Sequence, residues 1–207
     1  MNEVVFSQEE QRPARRPTSY RIARMISWIG HPLVFVSASV AIVVFFRLAD
    51  RVGVSVLIAL VLAVVLPMAM LLIRGVRSGR WSDIDVSVQT ERARFYPRAI
   101  LLSLGGIAAL LLLRAPAFVV RGALVTLILL LIAAFTNRRL KISLHAMFAF
   151  YCAVVLFQIG TSIGIVALSL AALVFWSRLH LGRHALLEVL LGAAVGLLGA
   201  VATAWLP

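Results

Sequence analysis

His184 and Glu188 stand four residues apart, with Ser177 and Arg178 just upstream and His180, Gly182 and Arg183 between. On a helix that spacing puts the imidazole and the carboxylate on one face, close enough for the acid to hold the ring. An imidazole held in this way beside cationic donors is the arrangement of a nucleophile or an acid–base group acting on a phosphate. The setting demands a functional reason for these groups. Residues 176–188 interrupt the most apolar part of the chain, and a charged Arg or Asp at the centre of a membrane helix costs about 2.5–3.5 kcal/mol on insertion scales.

Two further polar stretches carry most of the remaining ionisable groups. Asp83, Asp85, Ser87, Glu91, Arg92 and Arg94 fall in 83–97, and Lys141, Ser143 and His145 lead into an apolar run. The spacing predicts that His145 lies in the first turn of a helix, where free N–H groups and a partial positive charge attract anions. Asp83, Asp85 and Glu91, with arginines interleaved, read as charge balance rather than metal ligands. No metal or cofactor is expected. His31, followed by Pro32, reads as structural, and His180 as part of a polar loop.

The elements that must position these groups follow from hydropathy. The 207 residues are 62% hydrophobic with a mean hydropathy of +1.03, against roughly half apolar in a soluble domain. Apolar runs at 27–46, 52–73, 99–113, 117–135, 143–158, 163–176 and 184–205 predict an all-α polytopic transmembrane bundle of six to seven spans. One domain, 25–207, follows a polar, basic arm, 1–24, in which prolines oppose helix and arginines favour an anionic lipid surface. The formal charge of +12 then reflects basic loops rather than a nucleic-acid partner. The lone Cys152 sits in an apolar run and excludes an intrachain disulfide or a cysteine metal site.

If all seven runs cross, the arm and the loops 74–98, 136–142 and 177–183 share one side and carry most of the arginines. The positive-inside rule places that side in the cytoplasm, and the expected location is a bacterial or archaeal cytoplasmic membrane. Gly192, Gly196 and Gly199 in the last run have the spacing of a close helix–helix seam.

The motifs resemble those of the type 2 phosphatidic acid phosphatase superfamily. Ser177-Arg178, five residues, His184, three residues, Glu188 is similar to its third signature, which ends in Asp. Ile142-Ser143-Leu144-His145 resembles its second, Pro-Ser-Gly-His, and 83–97 stands where its first, Lys, six residues, Arg-Pro, belongs. The resemblance spans about 83–200, and the third signature is the specific one. It implies that His184 takes the phosphoryl group, that Glu188 orients it, and that His145 protonates the leaving group. It implies that Arg178, with Ser177, Ser143 and Arg92 or Arg94, holds the phosphate. Seven residues before Arg92 and Arg94 stand Asp85 and Ser87 instead of Lys; Lys141 or Arg98 is the candidate substitute.

The resemblance thus implies an integral membrane phosphatase of lipid phosphates or polyprenyl (di)phosphates. The altered first and second signatures motivate the alternative, a catalytically silent lipid-binding subunit of a membrane complex. A transporter is the third reading. Membrane lipid is the expected partner in each case, and the sequence leaves open a homo-oligomer or a larger assembly.

Overall fold

A computed structural model describes residues 17–48 and 50–205. Among them the regular elements are all helical: α1 (Thr18–Ile29), α2 (Pro32–Arg47), α3 (Asp50–Leu60), a π-helical turn (Val61–Val65), α4 (Leu66–Arg77), α5 (Gln89–Leu112), α6 (Ala117–Thr136), α7 (Leu144–Phe157), α8 (Thr161–His180) and α9 (Leu186–Trp205). Five stretches are long and apolar enough to cross a membrane: Arg51–Arg77, Gln89–Leu112, Ala117–Thr136, Thr161–His180 and Leu186–Ala204. The α1–α2 pair, bent by 52°, makes a sixth. These apolar helices suit an integral membrane protein, since a span needs about 20 predominantly apolar residues.

The 14-residue α7 falls short of that length and is the central element. Ala146, Met147, Ala149, Cys152 and Ala153 are all buried, and the helix packs between α8 and α9. The seam with α9 requires glycine. A Cβ at Gly196 would lie 2.1 Å from the Met147 carbonyl oxygen, and one at Gly192 would lie 2.5 Å from that of Ser143. With hydrogen there, the backbones touch, and Ser143 N–H donates to the Glu188 carbonyl at 3.0 Å.

Several boundaries differ from those the sequence predicts. Part of the expected polar arm is helical: Pro17 precedes α1, a position where proline's missing N–H costs nothing. Arg12, Arg15 and Arg16 lie outside the described residues. The span expected over 27–46 is broken at Gly30–His31, where Pro32 starts α2. The polar segment expected over 74–98 becomes helical at Gln89. Arg92, Phe95, Tyr96 and Ala99 bury one face of α5 at i, i+3, i+4 and i+7, so a charged residue occupies a core position and hides the period. Ser177, Arg178 and His180, expected in a loop, form the last turn of α8. His180 stacks on Trp176.

Candidate functional site

One end of the bundle gathers the start of α2, the 78–88 loop, the start of α5, the 137–143 loop, the end of α8 and the start of α9. Ion pairs and hydrogen bonds join these connectors. Arg183 donates to Asp83 Oδ2 at 2.7 Å and to Ser87 Oγ at 2.9 Å. Ser87 Oγ in turn donates to Asp83. Lys141 Nζ donates to the carbonyls of Ser87 and Arg183, each at 3.1 Å. Three segments far apart in sequence are thereby bound to one another.

His184 lies in the α8–α9 connector, just before α9. The expected pairing with Glu188 forms, but across the start of the helix rather than along one helical face. Glu188 Oε2 accepts from His184 Nδ1 at 2.7 Å and from Ala185 N–H at 3.2 Å. A Glu in this first turn reaching back to a free N–H is the carboxylate half of a capping box. The carboxylate fixes the proton on Nδ1 and leaves a lone pair on the buried Nε2. Nε2 lies 3.4 Å from Arg92 Nη2.

Arg92 is fully buried and held by two further bonds, Nε to the Val86 carbonyl at 2.9 Å and Nη1 to that of Ile142 at 2.8 Å. Arg178, also fully buried, donates from Nη1 to Ser27 Oγ at 2.6 Å and to Asp85 Oδ2 at 2.7 Å. Among the described residues its Nε and Nη2 have no hydrogen-bond partner. Buried donors left unpaired are costly, and a guanidinium with two N–H groups on offer matches a phosphate or carboxylate.

His145 is buried in the first turn of α7, within electrostatic reach of Arg178, Arg92, His31 and His184. Ser143 caps α7, its Oγ accepting from Ala146 N–H at 3.4 Å. Burial lowers the His184 pKa well below its usual value, and Arg92, Arg178 and Lys141 add to the effect, so the ring is neutral at pH 7. Burial likewise lowers that of Lys141, with Glu188 opposing and Arg92, Arg178 and Arg183 reinforcing. Burial raises the Asp83 carboxyl, but hydrogen bonds from Ser87 and the Arg183 charge outweigh it and leave the pKa below its usual value.

The structure therefore brings together His184, Glu188, His145, Arg178, Arg92, Lys141 and Ser143. It sets Arg94 apart, exposed on the outer face of α5. Ser177 is buried but donates to its own helix at the Val174 carbonyl, 2.7 Å away. Sequence reasoning places neither Asp85 nor His31 in this cluster, although the ion pair of Asp85 with Arg178 is the charge balance expected of it. Asp85 stands where the resembled first signature has Lys, and the ammonium near His184 comes from Lys141 instead.

The ligand atoms of His31, Asp85 and His145 lie within 4.8 Å of one another, the spacing of a metal-binding group. Their chemistry argues otherwise. His31 Nδ1 accepts from Leu33 N–H at 3.2 Å, so the neutral ring carries its proton on Nε2. Arg178 already sits on Asp85, and both buried arginines oppose a second cation nearby.

Two cavities flank the cluster. One, of about 110 Å³, is lined by Asp85, Arg92 and His145 and by apolar walls including Val36, Met68 and Phe148. The other, of about 490 Å³, lies beside α1 and is lined by Arg24, Trp28, Arg77, Asp83, Asp85 and Arg183 among others. Searched against family models, curated proteins and solved structures, the chain matches none.

Proposed function

We propose that this chain is an integral membrane phosphatase of lipid phosphates or diphosphates, working through a phosphohistidine on His184. It would be a divergent relative of the type 2 phosphatidic acid phosphatase superfamily. The observation that carries the reading is the approach of Arg92 Nη2 to His184 Nε2 while Glu188 holds the opposite nitrogen. A phosphorus centre entering there meets a lone pair on one side and guanidinium donors around its oxygens. His184 Nε2 forms the P–N bond as the P–O bond to the leaving alcohol or phosphate breaks. His145 gives its proton to that oxygen. Water then attacks phosphorus, returning a proton to His145 and releasing His184. Arg92, Arg178 and Lys141 balance the charge that grows on the phosphoryl oxygens.

The lipid class rests on the surroundings. The larger cavity joins basic residues to Trp28, Ile73 and Val76, as an anionic headgroup with an apolar tail requires. Phosphatidic acid, phosphatidylglycerol phosphate and polyprenyl (di)phosphates all have that form. The arginine-rich end belongs in the cytoplasm by the positive-inside rule. Phosphate release from these lipids in detergent micelles, with His184→Ala as control, tests the reading. Release by the parent protein and none by the variant supports it. Equal release, or none from either, overturns it, and stable recovery within a larger assembly without turnover would support the silent-subunit alternative.

A further inference from the structure

The cluster contains two imidazole–carboxylate pairs, and the phosphatase reading above uses only one. We infer that Asp85 is a positioning residue for His145, a second pair that serves the leaving group as His184–Glu188 serves phosphorus. The inference rests on that reading.

Among the described residues His145 has no hydrogen-bond partner at either ring nitrogen, although it is only 2% exposed. A buried imidazole left so is rare unless a ligand or a catalytic role explains it. The groups that face it come from five elements: Arg92 on α5, Arg178 on α8, His31 before α2, His184 before α9 and Asp85 in the 78–88 loop. A general acid must carry a proton, and a proton on His145 adds positive charge beside two buried guanidiniums. Asp85 is the carboxylate that faces it. Its Oδ1 lies 3.6 Å from His145 Nε2, slightly too far for a hydrogen bond, while Oδ2 is engaged with Arg178 at 2.7 Å. Catalytic hydrogen bonds are often long in an empty site and tighten around substrate. A phosphate taken up by Arg178 competes for that guanidinium, and Asp85 then closes on His145 Nε2. Nδ1 remains to carry the proton to the leaving oxygen.

The loop is built to hold Asp85 there. Val86 adopts φ +46°, a left-handed conformation that a β-branched residue keeps only where its surroundings impose it. Its carbonyl is the acceptor for Arg92 Nε. His31, packed edge-on against His145 at a centroid distance of 5.4 Å, reaches the backbone of Ile84, next to Asp85.

The test compares two leaving groups in the full-length protein in detergent. A long-chain alkyl monophosphate expels a poor leaving group that needs a proton; p-nitrophenyl phosphate expels one that leaves without it. Asp85→Asn is expected to lower kcat/KM, which reports the steps through P–O cleavage, by about 100-fold or more on the alkyl phosphate, the usual worth of a general acid. The loss in kcat/KM on the aryl phosphate should be smaller by about tenfold or more, because that leaving group needs no proton. Asp85→Glu should recover part of the loss. Because both rates come from one preparation, their ratio is independent of the folded fraction. Equal loss on both substrates overturns the inference and assigns Asp85 to Arg178 alone. Hydrolysis of neither substrate by the parent protein overturns the phosphatase reading itself, and this inference with it.

Discussion

At the loop-bearing end of the bundle Arg92 and Arg178 are fully buried. At the opposite end Arg47 is exposed and Arg121 half-buried. Arg47 donates to the Gln158 carbonyl at 3.1 Å and lies over the Phe118 ring. A third cavity, of about 340 Å³, lies there; it is mostly apolar and shares Val36, Val64, Ser103 and Thr126 with the walls of the smaller cavity beside His145. Both ends therefore hold arginines against apolar space, but only one desolvates them. Removing a guanidinium from water costs several kcal/mol and is tolerated where anions or well-placed acceptors compensate. Asp85 and the Val86 and Ile142 carbonyls compensate in part, while Nε and Nη2 of Arg178 keep no partner among the described residues. The difference separates arginines left at the surface of the bundle from arginines desolvated inside it.

The largest expected effect is at the nucleophile. His184→Ala should reduce phosphate release by at least about 10³-fold, as loss of a covalent catalyst does, with lipid binding by a flotation assay retained. Next comes the contrast between the two ends. Arg178→Ala should lower kcat by about 10²–10³, the range for a lost transition-state donor, whereas Arg47→Ala should leave it unchanged in the same steady-state assay. Comparable losses would erase the distinction between the ends.

A smaller effect is expected on stability. Gly196→Val should destabilise the α7–α9 seam by about 1–3 kcal/mol, as overpacking does. Gly105→Ala, where a Cβ meets nothing within 4 Å, should not; thermal unfolding in detergent reads both. The smallest effect is on pH dependence. The folded state disfavours a proton on His184, so an unfolded chain gains it first and stability should fall as pH drops below about 6.5. His184→Gln should make that slope shallower. The Asp83 carboxyl has the opposite charge type but the same direction. Its stabilisation, complete at neutral pH, should fade as pH falls below about 4.

Some of this site is legible in the sequence because its chemistry repeats local spacings. His184 with Glu188, Arg178 just upstream and His145 at a helix start can be read from residue types alone. The choice between Arg92 and Arg94 cannot. It depends on which face of α5 is buried, and Arg92 shares that face with Phe95, Tyr96 and Ala99. Asp85 reads as charge balance and His31 as structural, because nothing local distinguishes them from ordinary loop residues.

Hydropathy by itself determined that this chain forms apolar helices suited to a membrane, since in hydrocarbon each segment must satisfy its own backbone hydrogen bonds. That demand is local and is written in consecutive residues. Which polar groups meet was decided only by the tertiary structure, because the decisive contacts are long-range. Arg178 reaches Ser27 across 151 residues and Asp85 across 93, and both contacts exist only once helices α1, α7 and α8 have packed and the 78–88 loop has closed over them.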